Sequence, residues 1–422
     1  MNQSISLPLR LSRKISFAHA AAFLITLPFD FFYNELVLLS FLLHTLIHTS
    51  PGAWRKLANK NGWIITSFYL LGWLALSYSP DKAEGIRILT RQSAFLVFPL
   101  LVVLSDLDWE ASRIPLLRIF AFTCSFTVLY LYLDALYTIH YFKLPLSSLF
   151  SLAFMNHNFS QPIDIHATYL SMYVAFSIVI FISLLLSEPG KTRRRIYVIA
   201  IIILSAGLLQ LSSRAVFIAL LLKLNTCIPF LLLKGRQRIR FFLVTLLLSG
   251  AALFVIFTID AFKIRYINEL QKDLAEKSSL VEINEPRMAR WELIAGLIKK
   301  SPLIGYGTGA EKQLLQDQYF EHKLYSSFIN EFNTHSEYLS FLLKTGIIGL
   351  LLYLFVLFWG MREALRRKDL LFSSFLVMIL VVGVSENVLD LNKGIFFISF
   401  FFSFFLLPGS AALPNLRSRQ PN

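Results

Sequence analysis

The chain is poor in cysteine and in charge for its length. Its 422 residues include two cysteines, Cys124 and Cys227, and only 16% of the residues are charged. Both cysteines lie inside apolar runs, which excludes a disulfide framework and a metal site built on cysteine spacing. A Walker lysine motif and a His-Glu-x-x-His pair are also missing from the sequence. We therefore expect a chemistry that uses neither a metal nor another cofactor.

Apolar residues make up 56% of the chain, and the mean hydropathy is +0.61. A soluble protein of this length needs more polar residues to cover its surface. Apolar stretches of about 17–25 residues, the length of a membrane-crossing helix, recur from end to end. We expect an all-α polytopic membrane protein with about twelve transmembrane helices. The predicted spans are 15–30, 34–49, 63–79, 88–104, 116–138, 166–187, 196–211, 214–233, 241–259, 336–359, 370–386 and 394–408.

The net charge of +14 is concentrated in short basic clusters that lie between apolar runs. The clusters are Arg55, Lys56 and Lys60; Lys191, Arg193, Arg194 and Arg195; Lys234, Arg236, Arg238 and Arg240; and Arg362, Arg366, Arg367 and Lys368. This placement is typical of cytoplasmic loops under the positive-inside rule, and it predicts that both termini are cytoplasmic. A nucleic-acid partner, the other usual explanation of a basic chain, is not expected.

The apolar pattern divides the chain into four parts. Residues 1–259 are expected to hold about nine transmembrane helices, and residues 336–408 about three more. Between them, residues 260–335 form a large loop on the face opposite the basic clusters. A helix is predicted at 287–300 within this loop, because its apolar residues recur at helical spacing. Residues 409–422 are expected to form a cytoplasmic tail.

Arg214 lies between two apolar spans that are joined by almost no loop. A charge so close to hydrocarbon needs a partner, water or a functional task. Guanidinium offers planar, bidentate donors and stays charged, which suits a phosphate ligand. The alternative is an arginine that extends its side chain to the membrane interface.

Three further arginines lie in the large loop. Arg287 and Arg290 are three residues apart and are expected on one face of the predicted helix. They are candidates for binding an anion at the mouth of a cavity, and a solvated helix face is the alternative. Arg265 has a weaker case for the same role.

His335 marks the point at which the chain returns from the large loop to the membrane. An imidazole can accept a proton near neutral pH, although an interfacial histidine can also be a simple hydrogen-bonded anchor. His166 and Glu386 are predicted on the same side of the membrane. Glu337 is close in sequence, but an offset of two residues on a helix places it on another face.

A glycine run, Gly305-Tyr306-Gly307-Thr308-Gly309, follows the predicted helix of the loop. A phosphate-binding glycine loop would follow a strand and open a helix, and no strand is predicted here. A nucleotide site is therefore not expected.

Three segments in a fixed order resemble the O-antigen ligase and O-antigen polymerase superfamily of bacterial envelope glycosyltransferases. They are Ser213-Arg214-Ala215; Arg287-Met288-Ala289-Arg290-Trp291-Glu292, which continues to Gly305; and His335-Ser336-Glu337-Tyr338, which leads to Gly346. His166-Ala167-Thr168-Tyr169 looks like a further family position. The resemblance covers about residues 166–350.

The resemblance implies an inverting, metal-independent glycosyl transfer on the periplasmic face of the bacterial inner membrane. The donor would be a glycan on undecaprenyl pyrophosphate, and the acceptor a sugar hydroxyl of lipid A–core. The essential arginines and histidine of the family match Arg214, Arg287 and His335. We add five predicted substrate-binding residues: Arg290, His166, Tyr169, Arg265 and Glu386.

Three alternatives remain beside the ligase. A polymerase would use the same lipid-linked donor and the same arginines, although the spacing from His335 to Gly346 favours a ligase. A related variant would transfer the glycan to protein serine or threonine. A transporter or flippase would also suit twelve spans, but paired glycine- or proline-broken spans in matching halves are not apparent. The sequence makes no prediction about oligomeric state.

Overall fold

The structure is a computed structural model that describes residues 8–29, 31–229, 235–274 and 285–408. Every regular element in these ranges is helical. The α-helices are Leu9–Thr26, Phe31–His48, Lys60–Leu76, Lys82–Gln92, Ala94–Leu104, Trp109–Tyr141, His157–Ser160, Ala167–Ser187, Lys191–Leu211, Arg214–Leu222, Gly235–Thr258, Asp260–Lys263, Glu269–Leu274, Arg287–Lys300, Glu311–Glu321, Tyr325–Ile329, Glu337–Arg366, Leu370–Val382 and Asn392–Leu406. Shorter 3-10 segments occur at Pro51–Ala58, Leu146–Phe150, Leu152–Phe154 and Gln161–Ile163, and π-helical turns at Lys223–Cys227 and Ile264–Asn268. The predicted tail, residues 409–422, lies outside the described residues.

Within the described ranges, six helices are long and apolar enough to cross a membrane, and a bent pair raises the number to seven. The prediction of an all-helical membrane protein is confirmed, but this number is lower than the twelve spans expected. A helix occurs at each of the twelve predicted positions. Several are shorter than a full span, such as Leu370–Val382 with 13 residues and Asn392–Leu406 with 15. The apolar run that predicted 370–386 continues past the end of helix Leu370–Val382, so hydropathy overstates the length of that helix. Helix Asn392–Leu406 has the length of the predicted span 394–408 and is shifted by two residues.

The first helix begins earlier than hydropathy predicted. It extends over Leu9–Thr26, so the basic residues Arg10, Arg13 and Lys14 form its first turns and do not precede it. Hydropathy locates the apolar stretch, whereas the backbone hydrogen bonds of the helix also include the flanking polar residues.

The last helix, Asn392–Leu406, lies at the centre of the bundle. It is apolar on all sides, which is the pattern of a buried helix. The ring of Phe401 lies 5.0 Å from that of Phe120 and 5.1 Å from that of Phe176, measured between centroids. Phe397 packs against Tyr173 at 4.8 Å. Cys124 is buried in the same core, as expected, and the side chain of Cys227 is outside the described part of the structure.

The large loop is attached to the bundle through a break in the helix Glu337–Arg366. Gly346 has a φ of +64° there, which opens the helical hydrogen-bond ladder. Tyr306 N donates to Leu343 O at 2.9 Å, and Ile347 N donates to Pro302 O at 2.9 Å. A side chain at Gly346 would collide with the backbone of Leu303. The glycine run therefore serves close backbone packing: a side chain at Gly305 would collide with the backbone of Leu343 and Lys344.

Backbone contacts bring several helix ends together at one end of the bundle. Asn156 N donates to Gln210 O at 3.0 Å, next to the start of the helix Arg214–Leu222. Glu337 N donates to Gly383 O at 2.8 Å, and Tyr169 Oη donates to Asn387 O at 3.1 Å. This end of the bundle contains the candidate site.

Candidate active site

Arg214 begins a helix directly after a sharp reversal of the chain. Ser212 has a φ of +47°, which ends the preceding helix and turns the chain back. Nη2 of Arg214 lies 2.5 Å from Oδ2 of Asp273, and the arginine side chain is 19% exposed. Among the residues that the structure describes, its Nη1 atom is buried without a hydrogen-bond partner. Arg214 therefore binds a carboxylate and still has an N–H group that is not used. An arginine that only extends its side chain to the membrane interface would need neither feature.

Arg287 begins its helix after Pro286, and Asp273 contacts it as well. Nε of Arg287 lies 3.5 Å from the same Oδ2 atom, and Nη1 donates to Ser385 O at 3.0 Å. Two arginines that are far apart in sequence thus share one carboxylate oxygen. Sequence reasoning missed Asp273; the only signal was an acidic residue in a polar, helix-like stretch of the loop.

His335 has a left-handed backbone conformation, with a φ of +45°. Such a φ is uncommon for a residue with a side chain, and it often marks a functional position. Its N–H donates to Oδ1 of Asn333 at 3.0 Å, and its Nδ1 atom lies 3.9 Å from Oε2 of Glu386. Glu337 instead accepts a hydrogen bond from Leu389 N at 2.9 Å. The carboxylate beside the imidazole is therefore Glu386, which comes from a distant loop.

Burial acts to raise the pKa of Glu386, but neighbouring positive groups outweigh it and lower the pKa. The imidazole of His335 has the largest lowering effect, followed by His166 and Arg287. Arg287 also binds the carbonyl of Ser385, the residue before Glu386. The carboxylate thus stays ionised and links the arginines to the histidine electrostatically.

A network of buried polar groups holds the backbone on both sides of His335. Oδ1 of Asn387 accepts from Ser336 N at 2.7 Å and from Thr334 Oγ1 at 3.0 Å. Thr334 N donates to Oε1 of Glu311 at 3.1 Å. These contacts fix the peptide groups next to His335. No sequence pattern pointed to Asn387, because the residues that it contacts are distant in the chain.

The charge of Glu311 is compensated inside this network. Burial acts to raise its pKa, but Lys344 and hydrogen bonds from Ser340 and Thr334 lower it. Nζ of Lys344 lies 3.0 Å from Glu311 and 3.0 Å from Asp390. A lysine inside a predicted span was the sequence signal that a buried acidic partner exists.

His166 lies at the start of the helix Ala167–Ser187 and accepts from Thr168 N through Nδ1 at 3.3 Å. Its ring is 4.2 Å from that of His157, edge to face. Burial lowers the pKa of His166, although Glu386 acts in the opposite direction. The neutral imidazole is therefore favoured beside the Glu386 carboxylate.

Arg290 and Tyr169 lie beneath the site and not at its surface. Arg290 is 6% exposed, and its guanidinium stacks 4.8 Å above the ring of Phe332. That ring contacts His335 edge to face at 5.5 Å. Tyr169 is 4% exposed and its hydroxyl is bonded to the carbonyl of Asn387. Both residues therefore contact groups that hold His335.

Arg265 lies near Arg214, one of the two arginines that share Asp273, and it pairs with Glu269. Burial lowers the pKa of Arg265, and the negative charge of Glu269 acts in the opposite direction. The two residues line a cavity of about 190 Å³, together with Asn156 and His157. This cavity gives polar space next to the arginine cluster.

The predicted residues thus converge at one end of the bundle. They supply two partly exposed guanidinium groups for an anion and, next to them, an imidazole against a carboxylate. Among the residues that the structure describes, no group of three or more His, Cys, Asp and Glu is arranged to hold a metal ion. These features place a cationic cluster beside an imidazole–carboxylate pair in a helical membrane protein.

Comparison with protein families identifies the class further. Residues 199–354 match the family described as O-antigen ligase. This match confirms the resemblance to that superfamily and supports a function of the ligase or polymerase type. The matched segment includes Arg214, Arg287 and His335, and it ends before Glu386. A search of curated proteins gave no match to the chain.

Proposed function

We propose that this protein is an O-antigen ligase that transfers a glycan from undecaprenyl pyrophosphate to a sugar hydroxyl of lipid A–core. One observation carries the proposal. Arg214 and Arg287 share a single anion, the Asp273 carboxylate, directly beside the pair formed by His335 and Glu386. Two guanidinium groups around one anion suit a diphosphate ester, and an adjacent base suits activation of a hydroxyl.

The proposed reaction is a single in-line displacement that needs no metal. The acceptor hydroxyl oxygen forms a bond to the anomeric carbon while the bond from that carbon to the diphosphate oxygen breaks, which inverts the configuration. Arg214 and Arg287 stabilise the negative charge that grows on the leaving diphosphate. His335 accepts the hydroxyl proton, and Glu386 stabilises the imidazolium that forms.

We propose that the chain crosses the inner membrane twelve times, with both termini in the cytoplasm and residues 260–335 in the periplasm. The succession of helices between the two ends of the bundle supports this layout. At the end opposite the site, Arg113 pairs with Asp369, and Arg367 Nη1 donates to Phe405 O at 3.0 Å. The basic clusters 191–195 and 362–368 flank helix ends that lie away from the site. The positive-inside rule assigns that end to the cytoplasm.

The first test is transfer by purified full-length protein in lipid nanodiscs, with a lipid-linked glycan and lipid A–core as substrates. We expect Arg287→Ala, Arg214→Ala and His335→Ala to insert and fold. The transfer rate of each variant should be about 10²- to 10³-fold lower than that of the wild-type protein. The reason for the two arginines is the loss of leaving-group stabilisation. Transfer should proceed without any ion gradient, because the reaction is chemical and not a transport step.

Two matched controls lie in the same loop. Lys312→Ala removes an external cation whose pair with Glu331 is more than half exposed, and His322→Ala removes an exposed histidine. Both should keep the wild-type rate. Normal transfer by His335→Ala or Arg287→Ala would remove that residue from the mechanism.

A glycolipid gel of a deletion strain separates the ligase from the polymerase. Loss of a ligase leaves lipid A–core bare, whereas loss of a polymerase leaves it with a single repeat. We expect bare lipid A–core, with the glycan retained on its lipid carrier. A single-repeat band would assign the protein to the polymerase branch.

A further inference from the structure

Asp273 occupies the space between the two arginines to which we assign the diphosphate. Its Oδ2 atom lies 2.5 Å from Nη2 of Arg214 and 3.5 Å from Nε of Arg287. The three side chains are between 19% and 24% exposed. An incoming anion can therefore reach both guanidinium groups, and it meets a carboxylate that already binds them.

The pairing is incomplete in charge and in hydrogen bonds. One carboxylate faces two guanidinium groups, which leaves a net positive charge between these three side chains. Among the residues that the structure describes, Nη1 of Arg214 has no hydrogen-bond partner, and the contact to Arg287 is long. The neighbouring Arg265 has its own partner in Glu269, so it does not draw Asp273 away. The site retains attraction for an anion that offers more charge and more oxygen atoms than a carboxylate.

In the layout that we propose, the site lies at the membrane face, at the level of the phosphate headgroups of ordinary phospholipids. Two uncovered guanidinium groups at that level would bind them, since arginine pairs well with any phosphate. A phosphodiester carries one negative charge, as does a carboxylate. Asp273, however, is part of the chain, and its effective concentration at the arginines is in the millimolar range or above. A singly charged headgroup therefore competes poorly with it.

A diphosphate ester differs in charge and in reach. It carries at least two negative charges and can bind both guanidinium groups at once, including the free Nη1 donor of Arg214. Displacement of Asp273 requires only a rotation of its side chain toward the solvent, to which it is already partly exposed. We propose that Asp273 is a specificity-determining residue: a resident anion that a lipid diphosphate displaces and a lipid monophosphate does not. This inference rests on the proposed function of Arg214 and Arg287.

The test compares the binding of geranylgeranyl diphosphate and geranylgeranyl monophosphate to the purified full-length protein at about pH 5. At that pH the monophosphate, whose second pKa is about 6, carries close to one negative charge, as a phosphodiester headgroup does. The two probes share one lipid chain and differ by a single phosphate. The wild-type protein should prefer the diphosphate. In Asp273→Asn the monophosphate should bind at least about tenfold more tightly, because it no longer displaces a charged partner. The diphosphate should gain less, so the discrimination between the probes falls.

Glu331→Gln is the matched control. It removes an exposed acidic residue of the same loop that pairs with Lys312, and it should keep the wild-type discrimination. Asp273→Glu keeps the charge and should also retain most of it. Asp273→Ser provides a second neutral variant if the asparagine variant does not fold.

The outcomes separate this inference from the function on which it rests. Unchanged discrimination in folded Asp273→Asn or Asp273→Ser would overturn the role of Asp273 and leave the diphosphate site intact. Failure of the wild-type protein to bind the diphosphate, or equal binding by Arg287→Ala, would overturn the proposed function together with this inference.

Discussion

The two ends of the helical bundle each hold an arginine–aspartate pair, and the two pairs differ in how much of their side chains is exposed to solvent. Nη2 of Arg113 contacts both carboxylate oxygens of Asp369, at 2.6 and 2.7 Å, and the two side chains are 7% and 2% exposed. The guanidinium also lies over the ring of Phe405 at 5.1 Å. At the other end, Asp273 divides one oxygen between Arg214 and Arg287 and stays partly exposed.

The difference lies in charge balance and in access. Arg113 and Asp369 neutralise each other in a buried place, so neither is available to a ligand. At the candidate site one carboxylate faces two arginines, and all three side chains are partly exposed, which suits the anion binding that we propose. Accessibility and excess positive charge together therefore set the candidate site apart from the closed pair.

The largest expected effect is on stability at the closed pair. Arg113→Leu leaves Asp369 buried without its counter-ion, and we expect a loss of about 3–5 kcal/mol in the free energy of unfolding. Transfer per folded molecule should stay near the wild-type value. Unfolding by denaturing detergent, followed by fluorescence, measures the first quantity, and the nanodisc transfer assay measures the second.

The double variant Arg113→Leu/Asp369→Asn checks the cause. It removes both charges and keeps a side-chain acceptor for the Phe372 N–H, which Asp369 caps at 3.1 Å. It should recover part of the stability that the single variant loses. Reduced transfer with unchanged stability in Arg113→Leu would break the comparison, because it would give the closed pair a functional role.

A smaller effect is expected from the support beneath His335. Asn387→Ala removes the acceptor that holds Ser336 N and Thr334 Oγ1. Misplacement of the imidazole should lower kcat by about 10- to 100-fold, whereas KM for the lipid-linked donor stays unchanged. A change in KM with a normal kcat would instead place Asn387 in donor binding. Asn158→Ala is a suitable control, because this exposed side chain donates only to the nearby carbonyl of Leu152 at 3.1 Å.

The smallest effect is a difference in the response of stability to acid. The pKa of Glu386 is lowered below its ordinary value of 4.5 by His335, His166 and Arg287, which outweigh burial. A lowered folded-state pKa gives a stabilising contribution that is complete above the unfolded-state pKa and is lost as pH falls through the folded value. Wild-type protein should therefore lose more stability than Glu386→Gln when the pH falls from about 6 to about 3.5. Thermal melts across that range measure it, and parallel curves for the two proteins would contradict the charge role of Glu386.

Prediction from sequence succeeded for features that depend on local pattern. Helix Arg287–Lys300 matches the predicted range, because it is set by the spacing of its own apolar residues and by the proline that follows. Helix ends were predicted less well, because helix Leu370–Val382 ends four residues before the predicted span 370–386 does. Glu337 N donates to Gly383 O at 2.8 Å directly after the end of this helix, and hydropathy does not report such a contact.

The residue types of the site could also be expected, since a charge or a histidine at the edge of an apolar span needs a reason to be there. Their partners could not. Glu337 is close to His335 in sequence, yet Glu386 lies against the imidazole, because the direction of a side chain on a helix is fixed by its position in the turn. Asn387 and Glu311 belong to contacts that span more than 20 residues of the chain.

Composition and local periodicity by themselves determined that this protein is a helical membrane protein with cationic residues and a histidine between its spans. The tertiary structure decided that Asp273 lies between the two arginines, that Glu386 faces His335, and that the large loop enters the bundle at Gly346. The physical reason is the distance along the chain over which each effect acts. Hydropathy and helical spacing act over a few turns of one segment, whereas an ion pair or a backbone contact between distant segments exists only after the helices have packed.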